Sequence, residues 1–121
     1  MGVSAIAFVM YPVTDVPRAI AFYRDTLGLR PSGNEAPYWV EFEIAGGTFG
    51  IGNFEQVGEP GTAQSLALEV ADLIAFRAML DERGVMSREP FETPICWISG
   101  VMDPDGNRVW LHQSKTPPAD V

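Results

Sequence analysis

Three tryptophans, a single histidine and a handful of carboxylates are the side chains of this 121-residue chain with chemistry to offer. His112 could act as a general acid or base, since an imidazole ordinarily titrates at about 6.5. As a ring at a strand end it could equally do no more than hydrogen-bond to its neighbours. With no second histidine, a zinc or iron site would need carboxylates from Glu41, Glu43 or Glu69. The indoles of Trp39, Trp97 and Trp110 suit flat ligands, because each offers a large polarisable face that attracts cations at about 0.5 to 2 kcal/mol per contact. The same rings would also serve to fill a barrel core. Arg108 could pair with one of the acids or hold a ligand carboxylate. Cys96, the lone cysteine, has no activating partner near it in sequence and reads as a buried, unreactive thiol on the helix side.

Strands must position these groups. Asp103-Pro104-Asp105-Gly106-Asn107 is a turn signal: Pro104 presets φ, the Asp side chains bond nearby amides, and Gly106 and Asn107 tolerate φ > 0. The strand after it alternates, with Arg108, Trp110 and His112 on one face and Val109 and Leu111 on the other. Over residues 38–45, Trp39, Glu41 and Glu43 alternate with Val40, Phe42 and Ile44, and Gly46-Gly47 turns the chain into a strand through Phe49 and Ile51. A first strand over 4–13 puts Val9, Tyr11 and Val13 opposite Phe8, Met10 and Pro12. Asp15 then caps one amphipathic helix, with Pro17 in its first turn, Ile20, Tyr23 and Leu27 on its apolar face, and Gly28 as its stop.

The order then repeats. After a Gly- and Pro-containing linker, Leu66, Leu68 and Val70 line one face of a strand, Asp72 caps a helix with Phe76, Met79 and Leu80, and Gly84 ends it. A hairpin over Ile95 to Met102 and Arg108 to Gln113 follows. Asp15 matches Asp72, Gly28 matches Gly84 and Trp39 matches Trp97. Caps, stops and turns agree, so the chain is two βαβββ modules, 1–54 and 64–115, joined by the linker 55–63 within one domain, 1–121.

Sixteen acids against eight bases give a net charge of −8, and the bases are scattered. Nucleic acids and anionic membranes require a positive footprint, so neither is an expected partner, whereas a neutral or cationic ligand is compatible with the field. No apolar run approaches the roughly 18 residues of a membrane span, and no basic leader precedes the first strand. A cytoplasmic protein is expected, consistent with a cysteine that has no internal partner for a disulfide.

The strings VTDVPRAIAFYRDTLGL at 13–29, ALEVADLIAFRAMLDERGV at 67–85 and DPDGNRVWLHQ at 103–113 resemble the vicinal oxygen chelate superfamily of glyoxalases, bleomycin resistance proteins and extradiol dioxygenases. The resemblance covers nearly the whole chain. It implies an α+β fold: two tandem βαβββ modules forming a curled mixed sheet, a half-open barrel, around a ligand cavity, with helices on the convex side. In metal-dependent members a His, Gln or Glu stands on the first strand of each module, seven residues before the capping Asp, and a Glu stands on the last. Those positions correspond here to Phe8, Ser65, Gly50 and Trp110, none of which is an effective donor to a divalent ion. No metal and no cofactor are therefore expected.

What the resemblance leaves is the cavity. Alternation assigns to its wall Phe8, Met10, Trp39, Glu41 and Glu43 from the first module. From the second it assigns Ser65, Ala67, Glu69, Trp97, Ser99, Arg108, Trp110 and His112. The first expectation is a metal-independent binding protein for an aromatic or cationic small molecule, similar to the bleomycin resistance branch. The alternative is a lyase, isomerase or dioxygenase-like enzyme, with a non-standard metal site or a metal-free mechanism using His112 and Glu69. The family also implies a homodimer.

Overall fold

Two sheets, each served by one helix, make up the protein. The computed structural model describes residues 1–116. It divides into two compact units, one of residues 1–63 together with 103–107, the other of 64–102 together with 108–116.

In the first unit, β1 (Val9–Pro12), α1 (Val16–Ile20), β2 (Arg30–Ala36), β3 (Trp39–Ile44) and β4 (Gly47–Gly52) follow in order. The sheet order is β1-β4-β3-β2, with β1 parallel to β4 and the other neighbours antiparallel. Asp15 caps α1 as its residue type predicts, its carboxylate accepting from the Arg18 amide at 3.0 Å. The expected single α-helix is not uniform: after Ile20 it widens into a π-helical segment, Ala21–Thr26. Widening changes which side chains face inward, and the consecutive residues Phe22 and Tyr23 are both buried, their rings edge to face at 5.1 Å. Tyr23 packs on Phe49 at 5.0 Å between ring centres, so this helix covers the sheet face of Val40, Phe42, Phe49 and Ile51.

The turn 103–107 belongs to this same unit and carries its buried polar network. Asn107, wholly buried, donates from Nδ2 to the Pro12 carbonyl at 2.7 Å and to Asp103 Oδ2 at 2.8 Å. Its Oδ1 accepts from the Gly61 and Ala63 amides at 2.9 and 3.1 Å. Asp103 Oδ1 accepts from the amides of Asp105 and Asn107, and Oδ2 also accepts from the Tyr23 hydroxyl at 2.8 Å. Burial, and then the Asp103 carboxylate, push the Tyr23 phenol far above its ordinary range, so it remains a donor. Asp105 in turn accepts from the Thr14 amide and hydroxyl and from Arg18. Every hydrogen-bonding position of the Asn107 amide is thus filled.

The second unit repeats the order with β5 (Leu66–Glu69), α2 (Leu73–Glu82), β6 (Phe91–Glu92), β7 (Cys96–Met102) and β8 (Arg108–Ser114), arranged β5-β8-β7-β6. Asp72 caps α2 through the Ala75 amide at 3.0 Å, and Gly84 leaves the helix at φ +76°. The Leu73 amide donates to Gln113 Oε1 at 2.7 Å, which sets the start of α2 on the β8 face shared by Val109 and Leu111. Leu73 and Leu80 are buried along with Leu68, Val101, Val109 and Leu111. The architecture is α+β with two four-stranded mixed sheets, neither closed into a barrel. Among the described residues no helix is long and apolar enough to cross a membrane.

Candidate functional site

Each sheet has one face under its helix and one face turned away, and the second is where the chemistry-bearing side chains collect. In the first unit, register places Met10 beside Gly50 and Pro12 beside Gly52 on one side of β4, and Glu41 and Trp39 beside the same two glycines on the other. Residues paired across neighbouring strands share a face, so these six form one surface, with Phe8 extending it ahead of β1. The rings close over the glycines. Phe8 meets Trp39 edge to face at 5.3 Å, and Phe54, just after β4, lies parallel to Trp39 at 5.4 Å and 8°. A Cβ at Gly52 would come within 2.7 Å of Phe54 Cε1, and one at Gly50 within 2.7 Å of Met10 Cε. The glycines are the floor on which these side chains lie. Trp39 Nε1 donates to Glu41 Oε2 at 3.0 Å, and Phe8 keeps 41% of its surface exposed.

The sequence reading placed Phe8, Met10, Trp39 and Glu41 on this surface and missed Phe54. Phe54 is the last residue of the first module, directly before the linker, where no alternation assigns a single aromatic to a face. A broad, open hollow of about 740 Å³ lies elsewhere in this unit, lined by Gly28–Arg30, Glu43–Ala45, Gly47 and Thr48. Of the expected wall residues only Glu43 reaches it.

In the second unit, β8 presents Arg108, Trp110 and His112 away from α2. Ala67 stands beside Trp110 on β5 and Gly100 beside it on β7. The indole Nε1 donates to the Gln64 carbonyl at 2.8 Å. Glu69 is the partner of His112 in the strand register, and its Oε1 lies 2.5 Å from Nδ1. The other oxygen, Oε2, accepts from the Ser114 amide at 2.8 Å. Desolvation raises the Glu69 carboxyl, but the Ser114 amide and His112 outweigh it and hold the group below its ordinary range. Ser65 is exposed immediately before β5.

Two expected wall residues belong to the other face. Trp97 pairs with Gln113 and Ser99 with Leu111, so both share the face of Val109 and Leu111 rather than that of Trp110. Ser99 is buried and donates to the Arg88 carbonyl at 2.6 Å, while Trp97 is capped by Lys115 Nζ at 5.1 Å from the ring centre. Conversely, Cys96, expected toward the helix, pairs with Ser114 and shares the Trp110 face, as does Ile98, which pairs with His112. Cys96 is buried, its Sγ 3.0 Å from Thr93 Oγ1. The reason is the five-residue turn: Met102 pairs with Arg108, which fixes even-numbered residues of β7 opposite even-numbered residues of β8. By the same register Trp39 corresponds to Ile98, not to Trp97.

The model of the Glyoxalase/Bleomycin resistance protein/Dioxygenase superfamily matches residues 5–111. The chain belongs to this superfamily. Among solved structures, this superfamily member is similar to TnmS3, an antibiotic binding protein from Streptomyces sp. CB03234. The two are 29% identical, with a TM-score of 0.84 over 95% of this chain and 99% of that one. A glyoxalase/bleomycin resistance protein from the same organism is also 29% identical, with a TM-score of 0.79 over 90% of this chain and 100% of that one. Lactoylglutathione lyase from Agrobacterium tumefaciens, 18% identical with a TM-score of 0.77 over 93% of this chain and 96% of that one, shares the fold alone. No functionally curated protein matches the chain.

The superfamily's metal positions do not fit a metal here. Phe8, Gly50, Ser65 and Trp110 supply neither an imidazole nor a carboxylate. A longer side chain at position 50 would first have to displace Met10, and the Trp110 indole N–H is already bonded to Gln64. Among the described residues no three His, Cys, Asp or Glu side chains converge as a metal site.

Proposed function

We propose that the protein binds a planar aromatic small molecule, neutral or cationic, without a metal and without altering it, in the manner of a bleomycin resistance protein. The observation that carries this reading is the ring surface of the first unit. A sheet face turned away from its helix is ordinarily polar, yet here Phe8 and Phe54 each lie against Trp39 over a glycine floor. Glu41 adds an anionic group at the edge of the indole, suited to a cation lying on the ring. Trp110, between Ala67 and Gly100, offers a second indole with small neighbours on both sides. Similarity to an antibiotic binding protein along nearly the full length of both chains supports the same reading.

6-Methoxyquinoline, planar and basic, is a suitable first probe, and it should raise the unfolding midpoint because it binds only the folded chain. Trp39→Ala and Trp110→Ala report which ring surface the probe occupies, and the replacement on that surface should weaken binding about tenfold, the loss of one good ring contact. If neither replacement changes the affinity by calorimetry, the rings are core and the reading fails. Two copies of the chain are proposed to associate in the cytoplasm, as the resemblance to the superfamily implies. Light scattering should give the mass of a dimer, and the mass of one chain at micromolar concentration would remove that part of the proposal.

A further inference from the structure

Resting on that reading, the hydrogen bonds of the two indoles narrow the ligand's chemistry. Trp39 Nε1 is committed to Glu41 and Trp110 Nε1 to Gln64, so neither indole has an N–H donor left for a ligand. Polar recognition beside Trp110 must come from its neighbours on the same surface. Across the strands these are Ala67 and Gly100, which bring no polar side chain. Along β8 they are Arg108 and His112. A guanidinium only donates. Both oxygens of Glu69 are engaged, one by His112 and one by the Ser114 amide.

We propose that Glu69 and His112 form an oriented acceptor for the ligand, and that the ligand is a planar aromatic bearing a hydroxyl or N–H donor that reaches His112 Nε2 when its ring lies on Trp110. The strand pairing of Glu69 with His112 and the amide of Ser114 hold the carboxylate in place. The carboxylate takes the proton side of Nδ1, and in a neutral imidazole the nitrogen opposite is then the acceptor. Nε2 has no partner among the described residues, and the ring is one-third exposed. Glu69 is a positioning residue, acting through the ring it holds. The arrangement needs no covalent step and no metal.

The chain has one histidine, so long-range ¹H–¹⁵N spectra report this ring without ambiguity. With the ring neutral, the expected species is the Nδ1–H tautomer, and a dominant Nε2–H tautomer would overturn the proposal. A matched pair of probes tests the ligand side. 6-Hydroxyquinoline should bind about tenfold more tightly than 6-methoxyquinoline, the worth of one buried hydrogen bond, and only the hydroxy compound should move the Nε2 resonance. His112→Phe should abolish the preference while leaving 6-methoxyquinoline bound, which also shows that the variant is folded. Glu69→Leu should release the tautomer and reduce the preference. If both quinolines bind equally, the acceptor is refuted and the aromatic site stands. If neither binds, both readings fall.

Discussion

Counted from the capping aspartates, Met10 corresponds to Ala67 and Pro12 to Glu69, so the pairing of the two sheets equates Gly50 with Trp110 and Gly52 with His112. The outward face of β4 is therefore bare backbone at Gly50 and Gly52, and the rings above these two positions arrive from Phe8, Trp39 and Phe54. On β8 the large side chains stand on the strand itself, and the strands beside it shrink to Ala67 and Gly100. One topology has reached aromatic surface by opposite distributions of bulk. A strand can carry a ring, or carry glycine and let neighbouring rings lie across it, but both at one place would overfill the space. This explains why a repeat so clear in caps and stops is invisible in the identities of the outward residues.

The hairpin turns differ as sharply. The β3–β4 turn is a short Ala45-Gly46 reversal, with Gly46 at φ +93° and Ala45 exposed. The β7–β8 turn holds a fully buried asparagine with four hydrogen bonds. The largest effect should follow from breaking that contrast. Asn107→Ala strands the Pro12 carbonyl and the Gly61 and Ala63 amides, and with about 1 to 3 kcal/mol for each unsatisfied buried group, we expect a loss of about 3 kcal/mol or more. Ala45→Ser in the other turn should stay within about 0.5 kcal/mol. Urea unfolding midpoints measure both, and equal costs would mean that the network organises the turn without stabilising the unit.

Much of this was legible in the residues. Asp15 and Asp72 predict caps because a carboxylate before a helix has few better uses, and the alternations around Val40, Phe42 and Leu111 separate cleanly into faces. The face of β7 was not legible: Trp97, Ser99 and Val101 against Cys96, Ile98 and Gly100 mix polar with apolar on both sides, so only the pairing across the turn decides it. Nor does sequence reveal that Asp103 and Asn107 are buried in the first unit. An Asp-Pro-Asp-Gly-Asn string reads as a solvated turn, and the Tyr23 hydroxyl and Pro12 carbonyl that make burial affordable lie 80 and 95 residues away. The candidate site was half visible. Outward alternation found Trp39, Trp110, Glu69 and His112, but not Phe54, the ring that completes the first unit's stack.

A smaller effect tests the glycine floor directly. Gly52 has no positive φ among the glycines that do, so alanine there is free of backbone strain and its cost reports space alone. The new Cβ would lie 2.7 Å from Phe54 Cε1 and 3.2 Å from Met10 Sδ. Met10 is flexible and can withdraw, but the Phe54 ring is stacked on Trp39 and must leave that plane. Gly52→Ala should therefore cost about 1 to 2 kcal/mol, the range for overpacking, and should change near-ultraviolet circular dichroism as the stack is disturbed. Gly50→Ala, opposed only by the end of Met10, should cost less. In a Phe54→Ala background the penalty at position 52 should largely vanish, so the double-mutant cycle carries a coupling of the same size as the single penalty. Additive costs would show that Phe54 does not rest on Gly52, and the opposition drawn between β4 and β8 would then lose its structural basis.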